Sequence, residues 1–179
     1  MAISTFDGPV RSLNGFYSQG PGNVLPITAS TSLTVAQHAG KIIEVGGTLA
    51  ADLVLTLPAI NMSANPASSG PGSDPNTLNN QGVTFTIWVD ATIATSSLKI
   101  GTNGTDRFVG SVLSIDSDSS GAMAGFIPGA NDDFINLNGS TTGGVVGTCI
   151  TITVLTTNKY MVNGVIVCTS TPATPFATS

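Results

Sequence analysis

Period-two alternation constrains this chain more than any other feature. In VTFTIWVD, residues 83–90, Val83, Phe85, Ile87 and Val89 fall on one side of an extended backbone and Thr84, Thr86 and Trp88 on the other. Successive side chains of a strand point to opposite faces, so such a run has one face to bury and one to show. The same short-strand style returns in KIIEV (41–45), DLVLTLP (52–58), SSLKIG (96–101), RFVGSVLSI (107–115), DFINLN (133–138), TCITITVL (148–155), KYMV (159–162) and VIVCT (165–169). Each run is bounded by Gly, Asn, Asp, Ser or Pro, the residues that make turns. In DLVLTLP, Leu53, Leu55 and Leu57 alternate against Asp52, Val54 and Thr56, and with KIIEV across Gly46 and Gly47 this predicts a strand pair. No long helical pattern competes with the strands. The one helix signal is TSLTVAQHAG, where Thr34 stands three residues before Gln37 as in a capping box and Gly40 is placed to end the turn.

The expected fold is therefore all-β: a single β-sandwich or jelly-roll-like domain with at most one short helical turn. Its last third reads as a meander, with corners at Thr157-Asn158 and at Asn163-Gly164, the latter the strongest hairpin signal in the chain. Pro172 and Pro175 then stop further pairing. At 179 residues, of which 41% are hydrophobic, one domain can bury a real core without staples.

Residues 1–30 have neither periodicity. They carry Pro9, Pro21 and Pro26 among several glycines, which predicts an extended arm ahead of a body spanning 31–179. Phe6, Val10, Leu13, Phe16 and Tyr17 give the arm anchors that a plain linker lacks. Those side chains pack either on the arm's own domain or on a partner. Residues 61–82, with Pro66, Pro71 and Pro75 among Ser, Asn and Gly, predict a long exposed loop, either mobile or in contact with something else.

Charge is scarce. Only 8% of residues are charged, against roughly 25% in ordinary soluble domains. With net charge −5 and five scattered cations, Arg11, Lys41, Lys99, Arg107 and Lys159, phosphate-tracking nucleic-acid binding is not expected. No apolar run is long enough to span a membrane, and the first residues have neither a basic nor an apolar leader region, so neither membrane insertion nor a cleaved export signal is expected. A surface with so little self-repulsion suits life inside an assembly or outside a cell.

Candidate chemistry is thin. His38, the lone histidine, has no nucleophile-elbow serine to serve and is expected to close the helical turn, with a partly positive ring at its C-terminal end. DSDSSG, 116–121, imitates the start of a calcium loop, but position 12 falls on Ile127 and a polar turn is expected instead. Asp132 and Asp133 are adjacent in a strand-like run and cannot flank one bond together. Cys149 and Cys168 are expected as small core side chains rather than a disulfide or metal ligands. The sequons at Asn61, Asn103 and Asn138 carry no weight without an export signal. No enzyme, cofactor or metal is expected.

Three stretches resemble the decoration, or cement, proteins that coat the heads of tailed bacteriophages, particularly those of marine bacteria and cyanobacteria. They are FDGPVRSLNGFYSQGP; SLTVAQHAGKIIEV with LVLTLP; and INLNGSTTGGVVGTCITI with the terminal TPATPF. The resemblance implies a virion protein made in the host cytoplasm that binds the outer face of the capsid, commonly as a trimer at three-fold or quasi-three-fold sites. Its partners would be the major capsid protein and its own copies. The residues expected to meet the shell are Phe6, Asp7, Gly8, Pro9, Val10, Arg11, Phe16 and Tyr17, with Phe6 to Arg11 pairing along a capsid strand and Arg11 meeting a carboxylate. Trp88, Pro175 and Phe176 are the expected contacts between copies. The rival expectation is a phage fibre or adhesin module that stacks host sugars on Trp88, Tyr17 or Tyr160.

Overall fold

The computed structural model describes residues 20–65, 73–118 and 121–179. Phe6 to Arg11, Phe16 and Tyr17, the residues expected to meet a shell, lie outside the described residues. Among the described residues, twelve strands form two sheets: β1 (Val24–Pro26), β2 (Thr31–Ser32), β3 (Ile42–Thr48), β4 (Leu53–Thr56), β5 (Thr84–Ala94), β6 (Leu98–Gly101), β7 (Arg107–Asp116), β8 (Met123–Phe126), β9 (Phe134–Leu137), β10 (Cys149–Thr156), β11 (Lys159–Cys168) and β12 (Phe176–Ala177). The seven-stranded sheet runs β1-β3-β5-β10-β11-β7-β8 and the five-stranded sheet β12-β9-β6-β4-β2. The all-β reading holds. One helical turn, α1 (Val35–His38), and two 3-10 turns, Pro21–Asn23 and Pro75–Thr77, complete the described elements.

The winding is mixed. The first six strands alternate between the sheets, so that β1, β3 and β5 lie side by side and parallel in one while β2, β4 and β6 do the same in the other. Parallel neighbours need a crossover between them, and here each crossover passes through a strand of the opposite sheet. The later strands β9, β10 and β12 pair antiparallel, which sets the fold apart from an antiparallel jelly roll throughout.

The core fills the space between the layers. Ile43 and Val45 of β3, Phe85, Ile87 and Val89 of β5, Ile150 and Ile152 of β10 and Val162 of β11 come from one sheet. Leu53 and Leu55 of β4, Ile100 of β6 and Ile135 of β9 come from the other. The predicted pairing of KIIEV with DLVLTLP does not occur, because β3 and β4 belong to opposite sheets and meet through their buried faces. Alternation specifies which face is buried, and two strands facing each other across a core read the same as two strands side by side.

The Asn163-Gly164 corner is also absent. β11 runs straight through it, with Asn163 opposite Thr151 and Gly164 opposite Ile150. A Cβ on Gly164, φ 147°, would sit 2.3 Å from the Cys149 carbonyl oxygen. The glycine therefore serves a close strand approach rather than a turn. Thr157-Asn158 does join β10 to β11, with Asn158 at φ 60°.

The described part of the arm enters the body early, since β1 lies within residues 1–30 and pairs with β3, Val24 opposite Ile42. The described flanks of the 61–82 loop are fastened by asparagines. The Asn61 amide nitrogen donates to the carbonyls of Thr77 and Leu78, Asn79 N–H to Asn65 Oδ1, and buried Asn80 to the Ala59 carbonyl. Asn76 Oδ1 accepts from Ala36 N–H, tying the second 3-10 turn to α1. The expectation of exposure fails at Asn80.

Candidate docking surface

The sheet pairings align one outward-facing row across the whole seven-stranded sheet. In register it reads Pro26, Glu44, Trp88, Cys149, Val165, Leu113, Gly125. These side chains face out because their strand neighbours Ile43, Val45, Ile87, Val89, Ile150, Ile166 and Val112 face the core. On one side of the row lie Val167, Ile115 and Met123, again in register. On the other lie Thr86, Thr151, Asn163 and Ser111. The result is an apolar band with a polar margin. Its members are well exposed: Trp88 37%, Val165 37%, Leu113 42% and Met123 69%. Exposed apolar residues usually stand singly on soluble chains, and a contiguous band of them marks a contact surface.

Near β1 the band deepens into an open groove of about 370 Å³ lined by Val24, Ile42, Thr86, Trp88 and Cys149. None of its five walls is charged. A second hollow, about 320 Å³, lies on the outer face of the other sheet between Lys99, Phe134, Asn136 and residues 177–179. Lys99 there is held by Asp52 at 2.5 Å.

Of the three residues expected at a contact between copies, Trp88 is exposed on this face. Pro175 and Phe176 are not available for one, because both are buried within the chain's own fold, with Phe176 in β12 opposite Ile135. Tyr160 is fully buried and its hydroxyl donates to the Pro58 carbonyl, so it offers no ring to a sugar. Desolvation pushes its phenol well above the ordinary tyrosine range, with the Asp106 charge adding to the effect.

The cysteines divide. Cys168 is buried, its sulfur against Ser114 Oγ and the Thr141 carbonyl, as expected of a core side chain. Cys149 is exposed on the outer face, which corrects its assignment to the core, and the two thiols are free. β10 carries Ile150, Ile152 and Val154 inward, so the odd positions must point out.

His38 is buried at the end of α1, and its Nδ1 accepts from the Thr34 N–H at 2.9 Å. The ring thus caps the N-terminal side of the turn rather than its C-terminal end. Thr34 Oγ1 accepts from Gln37 N–H, and His38 supplies the return bond that a capping box takes from Gln37.

Two acids, Asp133 and Asp106, are tied into the fold. Asp133 is buried and accepts from the Ser179 N–H and hydroxyl, with Arg107 Nη1 3.6 Å away. Desolvation raises the Asp133 pKa, but the Ser179 bonds and the Arg107 charge outweigh it and hold the carboxyl below its ordinary value. Asp106 moves the other way: desolvation raises it above the bond from Ile60 N–H and the pull of Arg107. Among the described residues no group of three or more His, Cys, Asp or Glu is placed to hold a metal ion. Also among them, no helix is long and apolar enough to cross a membrane.

No protein-family model matches the chain, and no curated protein and no solved structure matches it either. The fold and the surface define an all-β sandwich with a largely apolar band on one outer face, Glu44 its one charged member.

Proposed function

We propose that this chain is a virion structural protein that decorates and stiffens the outer surface of a tailed-phage capsid, bound to the major capsid protein and to its own copies, most simply as a trimer. The observation that carries this reading is the band across the seven-stranded sheet, where Trp88, Val165, Leu113 and Met123 are exposed on one face with Glu44 as the one charge and no cation among them. Such a surface gains its free energy by excluding water against a complementary wall. The resemblance of the arm, the SLTVAQHAGKIIEV stretch and the TPATPF end to cement proteins points the same way. Phe6, Asp7, Gly8, Pro9, Val10 and Arg11 are assigned to the shell, the backbone adding to a capsid strand and the aromatic and apolar side chains filling pockets. The contact between copies is assigned to the exposed part of the band beyond the groove, Val165, Leu113 and Met123. Each single attachment is weak, and many copies on one lattice give the combined hold.

The test is the heat stability of emptied phage heads with and without the purified protein. Decoration predicts saturable binding and a higher temperature of shell disruption. Glycan-array binding at micromolar strength with no affinity for shells would instead assign the chain to the adhesins. In that case Trp88 would be the sugar platform, since Tyr160 is buried.

A further inference from the structure

The groove at the β1 end of the band has five uncharged walls, and the described chain enters it directly. Gly20 leads through the Pro21–Asn23 turn into β1, whose first residue, Val24, is itself a wall. Nineteen residues precede Gly20, and those closest to it include Leu13, Phe16 and Tyr17.

We infer that this groove seats the Leu13–Tyr17 segment of the same chain, the Phe16 and Tyr17 rings covering Trp88 and Cys149. Reach permits it. Tyr17 stands seven residues before Val24, a span of at most roughly 25 Å. Cys149 lies on β10, three strand spacings from β1, about 14 Å away. Apolar chemistry matches on both sides, and the arm's single cation in this region, Arg11, precedes the segment. A tethered segment also meets its own groove at an effective concentration in the millimolar range, which no separate copy matches in dilute solution. The segment then acts as a proximal anchor. It fixes where the more distal Phe6 to Arg11 leaves the body, and its docking holds whether or not the chain coats a shell.

Two built-in reporters sit in the groove. Trp88 is the only tryptophan, and Cys149 is the exposed one of two free thiols. The experiment compares the full chain with the full-length double variant Phe16→Ser, Tyr17→Ser, with no capsids present. Seating predicts that the variant alkylates Cys149 with iodoacetamide several-fold faster and shifts Trp88 emission to the red, and that neither difference changes on hundredfold dilution. Equal rates and emission maxima overturn the inference. Protection of the full chain that disappears on dilution also overturns it, and assigns the groove to a second copy.

A second measurement covers the case in which the variant is poorly folded. With p-benzoylphenylalanine in place of Phe16 in the otherwise unchanged chain, irradiation should cross-link that position to peptides containing Ile42 or Trp88 at monomer mass. Cross-links elsewhere, or only at dimer mass, contradict it.

Discussion

Single residues in the sheets are under steric conditions that make opposite substitutions informative. Gly110 in β7 has φ 102°, and a Cβ there would meet the Val162 carbonyl oxygen at 2.2 Å. Gly110→Ala should therefore destabilise the fold by about 1–3 kcal/mol, read as a lower midpoint of urea unfolding. Thr95, between β5 and β6, has φ 76°, a conformation that a β-branched side chain resists. Thr95→Gly should raise the same midpoint, by about 0.5–1 kcal/mol. Asp133 gives a pH signature. Its folded pKa lies below the unfolded one, so the stability it contributes is complete above the ordinary carboxylate pKa and is lost as pH falls through the folded value. Asp133→Asn should lower the melting temperature at neutral pH and flatten the acid limb of the stability profile. Asp106 has the opposite sign: with a raised folded pKa, its ionisation subtracts stability as pH rises through that range. None of these residue effects was legible in the sequence, because they depend on which carbonyl or carboxylate stands opposite. Cys149 is the exception, since the alternation of CITITV puts Ile150, Ile152 and Val154 on one face and Cys149 with Thr151 and Thr153 on the other, and only the general preference of cysteine for cores argued against exposure.

At the scale of elements, alternation did its work on faces and failed on partners. Phe85, Ile87 and Val89 are buried and Trp88 exposed, as VTFTIWVD requires. The α1 turn also begins where Thr34 places it, although His38 and not Gln37 returns the capping bond. β3 and β4, by contrast, separate into two sheets, and Asn163-Gly164 lies inside a strand. Turn propensity is local, whereas the ten-residue pairing of β11 with β7 is a long-range gain that overrides it. That pairing makes an order of protection predictable. Hydrogen exchange should be slowest in β5, β10 and β11, each flanked on both sides, and fastest among the strands in two-residue β2 and β12 at the sheet edges. Slow exchange in β2 and β12 comparable with β10 would mean that another chain covers those edges.

For the whole molecule, the sequence told the class: all-β, poor in charge, with a body that buries a single core. It did not tell the coil of alternating parallel strands, because periodicity contains no information on which sheet receives the next strand. Nor did it tell the apolar band, which exists only once four strands are placed in register and Trp88, Cys149, Val165 and Leu113 become neighbours. Function on this account is a property of surfaces. The most direct measurement is a co-sedimentation isotherm of the purified protein on undecorated phage heads, for the full chain and for the chain lacking residues 1–20. Saturable binding at a fixed number of copies per shell, lost or weakened at least tenfold without the arm, is the predicted result. Equal binding by the truncated chain, or no binding by either, would contradict it.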